Sequence, residues 1–221
     1  MLILSISTSS NIASVALSED SNCIEELLID NNKTHSETLV PLIEELLSKT
    51  NTKLSDVNLI ACDIGPGSFT GIRIGISTVK AIAQSLNIPI VDVSSLEGLA
   101  YLVNNSSSNI CSLIDARNNQ VYCGIFDKNH NLIEDYLADD INNILPIINK
   151  YKDICFVGDG AIIHKELLGI EDLRYDNKMH AKNIALCAFN KYNNGYKQNA
   201  DTILPMYLRK SQAERMKQKN G

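Results

Sequence analysis

The sequence predicts an α/β protein of two related lobes, of which the second is the smaller. Each half begins with neighbouring apolar runs of strand character and continues with alternating strand and helix patterns. A polar stretch at residues 104–109 separates the halves and offers nothing that packs into a core. We therefore expect an N-terminal lobe of residues 1–103, a smaller lobe of residues 110–208 with the end of the chain able to cross back, and a charged tail of residues 209–221.

The first element predicted is a meander of strands, from three apolar runs within residues 2–29. A helix follows, because Thr34 and Glu37 have the spacing of a capping box and precede apolar residues at helical intervals. Pro41 lies too deep in such a helix to be favoured there. The helix is therefore either kinked at Pro41 or begins near Val40.

Strand and helix patterns alternate through the rest of the chain. Residues 59–64 predict a strand, and residues 71–86 have the apolar spacing of a helix. Ser94 or Ser95 is a suitable N-cap for a short helix that runs through Leu102. Further strands are predicted over residues 88–93, 110–114, 120–126 and 154–157.

Composition limits the classes of function. A formal net charge of -6 gives no broad positive field, so tight autonomous binding of a polyanion such as tRNA is not expected. The N-terminus has neither a basic segment nor a long apolar run, which predicts a cytoplasmic protein without a signal peptide or membrane span. No two cysteines have metal-site spacing, and we expect all six to be reduced and buried: Cys23, Cys62, Cys111, Cys123, Cys155 and Cys187.

The loop from Gly65 to Gly71 is the most specific local signal. It follows a predicted strand and precedes a predicted helix, where glycines permit close approach and a helix N-terminus attracts anions. It has neither the GK[ST] ending of a Walker loop nor the GxGxxG spacing of a dinucleotide site. The loop either binds a phosphate group or only turns and packs the chain.

Several motifs together resemble the TsaB (YeaZ) family. These are IGPGSFTGIRIG at residues 64–75, THSETLVPLI at 34–43, VSSLEGL at 93–99, LIDARNNQVY at 113–122 and PMYLR at 205–209. The resemblance implies an actin/Hsp70-like (ASKHA, ribonuclease-H-like) two-lobe fold with a reduced second lobe. It also implies a non-catalytic subunit that supports a TsaD-like threonylcarbamoyltransferase, beside a TsaE-like ATPase, in forming threonylcarbamoyladenosine at position 37 of ANN-decoding tRNAs.

The resemblance also indicates which chemistry the chain lacks. TsaD enzymes have two metal-binding histidines in a His-Met-Glu-Gly-His segment, where this chain has Ser95 and Leu99. Most TsaB relatives keep an aspartate at the end of the first strand, where this chain has Ser7. We therefore expect no catalytic residue, no metal and no required cofactor. Weak binding of ATP or ADP is expected to use four residues: Thr8, Ser9, Gly65 and Gly67.

The two predicted helices, of residues 34–50 and 71–86, are expected to form the partner interface. Gly71 and Gly75 lie one turn apart, which allows a neighbouring helix to approach closely. The same apolar face can pair two copies of the chain when the partner is absent, and tRNA is reached only through the complex. The interface residues predicted on these helices are Leu39, Leu42, Ile43, Leu46, Ile72, Arg73, Ile76 and Lys80.

Three alternatives stay open at this point. One is an ATP-dependent small-molecule kinase or transferase of the same superfold. Another is a hydrolase that uses His35, Glu37 and Ser68, although the serine is not in a GxSxG elbow. The tail from Arg209 to Gly221, with more basic than acidic residues, is either a solvated end or a weak phosphate contact.

Overall fold

The computed structural model describes residues 1–30, 34–104, 107–173, 175 and 177–209. The predicted charged tail therefore lies outside the described residues, except for Arg209. Within the described part of the chain, no helix is both long and apolar enough to cross a membrane.

A five-stranded sheet forms the first lobe, and its strands are the apolar runs of the sequence. They are β1 (Leu2–Ser7), β2 (Ala13–Glu19), β3 (Asn22–Ile29), β4 (Leu59–Asp63) and β5 (Ile90–Val93). The spatial order is β3-β2-β1-β4-β5, antiparallel among the first three and parallel from β1 through β4 to β5. The central strands are almost fully buried, as expected for a sheet that is covered on both faces.

Two helices, α1 (His35–Lys49) and α2 (Phe69–Leu86), cover one face of this sheet. The predicted capping box is present, since the Glu37 carboxylate accepts the Thr34 amide at 3.0 Å. Because that box satisfies amides of the first turn, α1 begins at His35 with Pro41 inside it. The alternative start near Val40 is therefore wrong.

The second lobe repeats the first pattern with one strand fewer. The short helix α3 (Ser95–Ala100) joins the lobes; of the two predicted N-caps it uses Ser94, and it ends two residues before the predicted Leu102. The elements of the second lobe are β6 (Asn109–Asp115), β7 (Gln120–Phe126), β8 (Leu132–Asp140), α4 (Ile141–Ile148), β9 (Ile154–Val157) and α5 (Asp159–Ile163). The first three strands form an antiparallel meander, and β9 lies parallel to β6. The helices α4 and α5 pack on the outer face of this sheet. The prediction of two related α/β lobes is confirmed.

The end of the chain crosses back to the first lobe. Helix α6 (Ala181–Asn193) covers the second face of the first sheet, opposite α1 and α2. Beyond it, Gln198 exchanges two backbone hydrogen bonds with Ile90, and the Met206 amide donates to the Ile64 carbonyl at 2.8 Å. One face of the first sheet is therefore covered by α6, which belongs to the C-terminal part of the chain.

The cysteines differ from the prediction at two positions. Cys23 is exposed, because it lies on the edge strand β3, and Cys155 is half-buried. The other four are buried, and burial raises the pKa of the Cys62 thiol well above its ordinary value. The prediction of buried, small apolar fillers is confirmed for those four, is wrong for the exposed Cys23, and holds only in part for the half-buried Cys155.

Candidate functional site

A buried carboxylate, Asp63, lies at the centre of the candidate site. It ends β4, at the edge of the first sheet from which the Gly-rich loop departs, and only 1% of its surface is exposed. Its Oδ2 atom accepts the hydroxyls of Ser7 at 2.6 Å and Ser9 at 2.5 Å. Its Oδ1 atom accepts the Ser95 hydroxyl at 2.6 Å and the Gly65 amide at 3.0 Å. One carboxyl group therefore joins three segments of the chain: the end of β1 with the turn that follows it, the start of the Gly-rich loop, and the start of α3.

The electrostatics of Asp63 are set mainly by its burial. Loss of solvent raises the pKa of this carboxyl, and the hydrogen bonds from the three serine hydroxyls and the Gly65 amide oppose the rise. The net direction is upward. Among the described residues, no three His, Cys, Asp or Glu side chains lie close enough together to hold a metal ion. The donors around Asp63 are hydroxyl and amide groups, which complete its hydrogen bonding without a cation.

The Gly-rich loop packs directly on the turn between β1 and β2. A Cβ atom at Gly67 would collide with the Ser9 carbonyl oxygen, and one at Gly71 would collide with the Thr8 carbonyl oxygen. The Ser68 amide donates to that Ser9 carbonyl at 2.7 Å, and the Thr8 hydroxyl donates to the Gly71 carbonyl at 2.8 Å. Both glycines are therefore needed for close approach of two segments of the same chain.

A serine side chain caps the start of α2. Ser68 is the N-cap, and its hydroxyl accepts the Gly71 amide at 3.2 Å. The backbone amides of Gly65, Ser68 and Gly71 therefore all donate hydrogen bonds to groups of this chain. These three amides are consequently not available to a phosphate group.

The four residues predicted to bind a nucleotide all make internal contacts. Thr8 is fully buried and Ser9 is 5% exposed, and both hydroxyls are donated to groups of this chain. Gly65 donates to Asp63 and accepts the Ser95 amide at 2.8 Å, while Gly67 packs on Ser9. The structure thus gathers all four at one place, around the Asp63 carboxyl group.

The positions that differ from TsaD enzymes also have internal roles. Ser95 is fully buried and donates to Asp63, as described above. Leu99, one turn further along α3, is 3% exposed and packs in the core between the two sheets. A hydroxyl and an aliphatic side chain therefore occupy the places where the resemblance puts two metal ligands.

The three side chains of the hydrolase alternative do not form a relay with one another. The His35 Nε2 atom contacts the Ser10 carbonyl at 2.8 Å, and Glu37 accepts from Thr34. Ser68 accepts from Gly71, as the cap of α2. A nucleophilic serine needs the histidine within hydrogen-bonding distance, and here each group has another partner.

Most of the predicted interface residues are buried inside the chain. The apolar ones are at most 4% exposed, because they are the residues that pack α1 and α2 against the first sheet. Of the polar ones, Arg73 is exposed and Lys80 is half-buried. The correction is physical: an apolar stripe at helical spacing faces the core of its own lobe before it faces a partner. The buried six are Leu39, Leu42, Ile43, Leu46, Ile72 and Ile76.

Sequence reasoning used residues 205–209 as a family motif and allowed the end of the chain to cross back, but it did not predict that residues 204–209 form a C-terminal strap across the Gly-rich loop. The Tyr207 ring stacks on Phe69 with 4.3 Å between centroids and an angle of 5°. The Tyr207 hydroxyl oxygen accepts a hydrogen bond from Arg73 Nε at 2.7 Å. The sequence-based prediction also missed Asp63, although a lone acidic residue at the end of an apolar strand was a usable signal. The contacts of the strap gave no such signal, since they join residues that are far apart in sequence.

Comparison with known proteins shows the family to which the chain belongs. The family described as "TsaD: tRNA N6-adenosine threonylcarbamoyltransferase" matches residues 30–217. The TsaB biosynthesis protein of Bacillus subtilis (strain 168) is 34% identical over 177 residues, which cover 78% of this chain and 76% of that protein. The chain belongs to the TsaB (YeaZ) family.

Solved structures support the same assignment. YeaZ from Pseudomonas aeruginosa superposes with a TM-score of 0.78 at 25% identity, covering 94% of this chain and 99% of that one. The activator of 2-hydroxyisocaproyl-CoA dehydratase from Clostridium difficile gives a TM-score of 0.55 at 10% identity, covering 94% of this chain and 100% of that one, and shows the fold alone. The prediction of an actin/Hsp70-like fold with a reduced second lobe is confirmed.

Proposed function

We propose that this TsaB-family chain is a non-catalytic subunit in the formation of threonylcarbamoyladenosine at position 37 of ANN-decoding tRNAs. It binds and supports a TsaD-like threonylcarbamoyltransferase. The pathway is supported by the B. subtilis relative, which is named as a tRNA threonylcarbamoyladenosine biosynthesis protein. A TsaE-like ATPase completes the assembly, tRNA is bound through the complex, and the assembly acts in the cytoplasm.

The observation that carries the proposal is that Ser95 and Leu99 make contacts within the chain, Ser95 with the buried Asp63 and Leu99 with the core. Ser95 completes the hydrogen bonding of a buried carboxyl group, and Leu99 fills a core. Leu99 has no electron pair to offer a metal, and the neutral Ser95 hydroxyl, which is already hydrogen-bonded to Asp63, is a poor replacement for imidazole. A chain that keeps the scaffold of a transferase but lacks these donor groups is better suited to binding than to chemistry.

No cofactor is required under this proposal. Thr8, Ser9, Gly65 and Gly67 hold the loop and the turn together, so any binding of ATP or ADP is weak. The kinase or transferase alternative is not favoured, because Ser7 has no carboxylate and its hydroxyl is already donated to Asp63.

The partner surface in this proposal is the outward side of α1 and α2. Val40 is 51% exposed on α1, although its neighbour Leu39 is buried. An exposed aliphatic side chain beside a polar rim is suited to a helix-to-helix contact with a second subunit. In the absence of the partner, the same surface pairs two copies of the chain.

A binding experiment with a matched control tests the proposal. We expect the chain to form a stable complex with the TsaD-like protein of the same organism, measured by size-exclusion chromatography and calorimetry. Val40→Asp weakens that complex at least tenfold, because it places a charge in the contact. Leu132→Asp changes an equally aliphatic residue, 41% exposed on β8, and leaves the affinity unchanged. Failure of the unaltered chain to bind contradicts the proposed function.

A further inference from the structure

An aromatic pair and an arginine form an exposed cluster where the strap crosses the start of α2. Phe69, the first residue of α2, lies parallel to Tyr207 of the strap, as described above. The guanidinium carbon of Arg73, one turn further along α2, lies 5.8 Å from the Phe69 ring centroid and 5.6 Å from the Tyr207 ring centroid. Tyr207 is 40% exposed and Arg73 is exposed, so the cluster faces solvent.

The contacts of Arg73 hold its guanidinium group but leave part of it unused. The Nε atom donates to the Tyr207 hydroxyl, which fixes the side chain against the strap. Within the described part of the chain, neither terminal nitrogen of Arg73 makes a hydrogen bond or an ion pair. These two nitrogens present parallel N–H groups that match the two oxygens of a carboxylate. The guanidinium group is therefore oriented in advance, with a fork of two donors available to an anion.

The surroundings of Arg73 contain apolar groups and few other cations. Leu204, on the same strap, is 67% exposed. Lys80 lies two turns further along α2 and is half-buried, and Arg209 approaches the Ala116 carbonyl of the second lobe at 3.5 Å. Binding of RNA depends on several cations along its backbone, whereas a single arginine among aromatic and aliphatic side chains is typical of protein–protein interfaces. With a net charge of -6, the chain favours a carboxylate of a protein over the phosphates of RNA.

The cluster adjoins the exposed Val40 of α1. A Cβ atom at Gly71 would lie 3.0 Å from His35 Cδ2, so the starts of α1 and α2 are neighbours. Val40 is the sixth residue of α1 and Arg73 is the fifth of α2, and the strands β3 and β4 that precede these helices run in the same direction. The two exposed side chains therefore stand at similar heights on adjacent helices. The cluster thus continues the partner surface that Val40 marks.

We propose that the cluster of Phe69, Arg73 and Tyr207 binds a carboxylate side chain of the TsaD-like subunit. The terminal nitrogens of Arg73 donate to the two carboxylate oxygens, and an apolar part of the same partner segment packs on Tyr207 and Leu204. Because Tyr207 already fixes the guanidinium group, little side-chain freedom is lost when the carboxylate arrives. This inference rests on the proposed function for the identity of the partner, and it adds the chemical group that the partner must present.

Affinities of single variants for the TsaD-like protein, measured by calorimetry, test the inference. We expect Arg73→Gln to weaken the complex about tenfold or more, because the partner's carboxylate is then left without its cation. Arg73→Lys keeps the charge but lacks the fork, so we expect a smaller, several-fold loss. Tyr207→Phe keeps the ring stack and removes only the hydroxyl that orients Nε, and we expect faster dissociation of the complex.

Two controls separate a specific contact from general effects. Lys128→Gln also removes one exposed positive charge, but at the turn between β7 and β8, and it leaves the affinity within experimental error. Thermal unfolding of all four variants stays at that of the unaltered chain, because none of the changed groups is buried in a core. Added salt weakens the unaltered complex more than the Arg73→Gln complex, since only the former contains the ion pair.

The outcomes distinguish this inference from the proposed function. If the unaltered chain and Arg73→Gln bind the TsaD-like protein equally well, the inference is wrong and the proposed function stands. If the unaltered chain does not bind at all, the proposed function fails, and the partner named here fails with it. Fluorescein-labelled tRNA gives a further arm: loss of its binding to Arg73→Gln alone, with unchanged affinity for the TsaD-like protein, would assign the fork to phosphate and overturn the inference.

Discussion

Asp63 determines how the segments around the Gly-rich loop are arranged. Its four hydrogen bonds come from the end of β1, the following turn, the loop itself and the start of α3. A buried carboxylate without such donors would cost several kcal/mol in stability. Ser7 and Ser95, which look like losses when the chain is compared with an enzyme, therefore have a positive structural role as donors to this group.

The change Asp63→Asn tests whether that role is structural. The amide oxygen can accept from Gly65 and Ser95, and the amide nitrogen can donate to the hydroxyl oxygens of Ser7 and Ser9. Burial raises the folded-state pKa of Asp63 above its unfolded value of about 4. Its contribution to stability is therefore complete below the unfolded pKa and is lost as pH rises through the folded pKa. We expect the stability of Asp63→Asn relative to the unaltered chain to increase from pH 4 towards neutrality.

Urea unfolding at a series of pH values measures this difference. Asp201→Asn removes an exposed carboxyl group and serves as the control, with no comparable pH dependence. If Asp63→Asn lost stability as pH rises, the negative charge itself would be required in the folded state, and the structural account of Asp63 would be incorrect.

At the scale of elements, the loop, the turn after β1 and the helix α2 form one packed unit. The starts of the neighbouring helices could be predicted from the sequence, because they follow local patterns: Thr34 and Glu37 cap α1, and Ser94 caps α3. It could not decide what the loop glycines approach. That contact is with Thr8 and Ser9, which are remote in sequence and enter no local pattern.

The change Gly67→Ala tests this packed unit. The added methyl group meets the Ser9 carbonyl, a backbone atom that cannot rotate away, so we expect a loss of about 1–3 kcal/mol in the free energy of unfolding. Thr70→Ala, at an exposed position in the first turn of α2, is the control and costs less than about 0.5 kcal/mol. Equal stability of the two variants, measured by chemical denaturation, would show that the loop is not packed as described.

At the scale of the whole molecule, the chain is two lobes held together by its own C-terminal part. Helix α6 covers the first sheet, and the strap reaches from Ile64 to Ala116. The repeated strand pattern and the family motifs were sufficient to predict the fold. It misassigned the six buried residues of α1 and α2, because an apolar stripe looks the same whether it faces a core or a partner.

We propose above that the chain acts as a subunit without catalytic activity of its own. The most direct test of this proposal is reconstitution of threonylcarbamoyladenosine from the purified TsaD-like and TsaE-like proteins, tRNA, ATP and the carbamoyl donor, with this chain titrated in. The account predicts that modification depends on the chain and saturates at a stoichiometric ratio to the TsaD-like protein, while the chain alone turns over no ATP. Equal product without the chain, or full activity at a small catalytic fraction of it, would contradict the account.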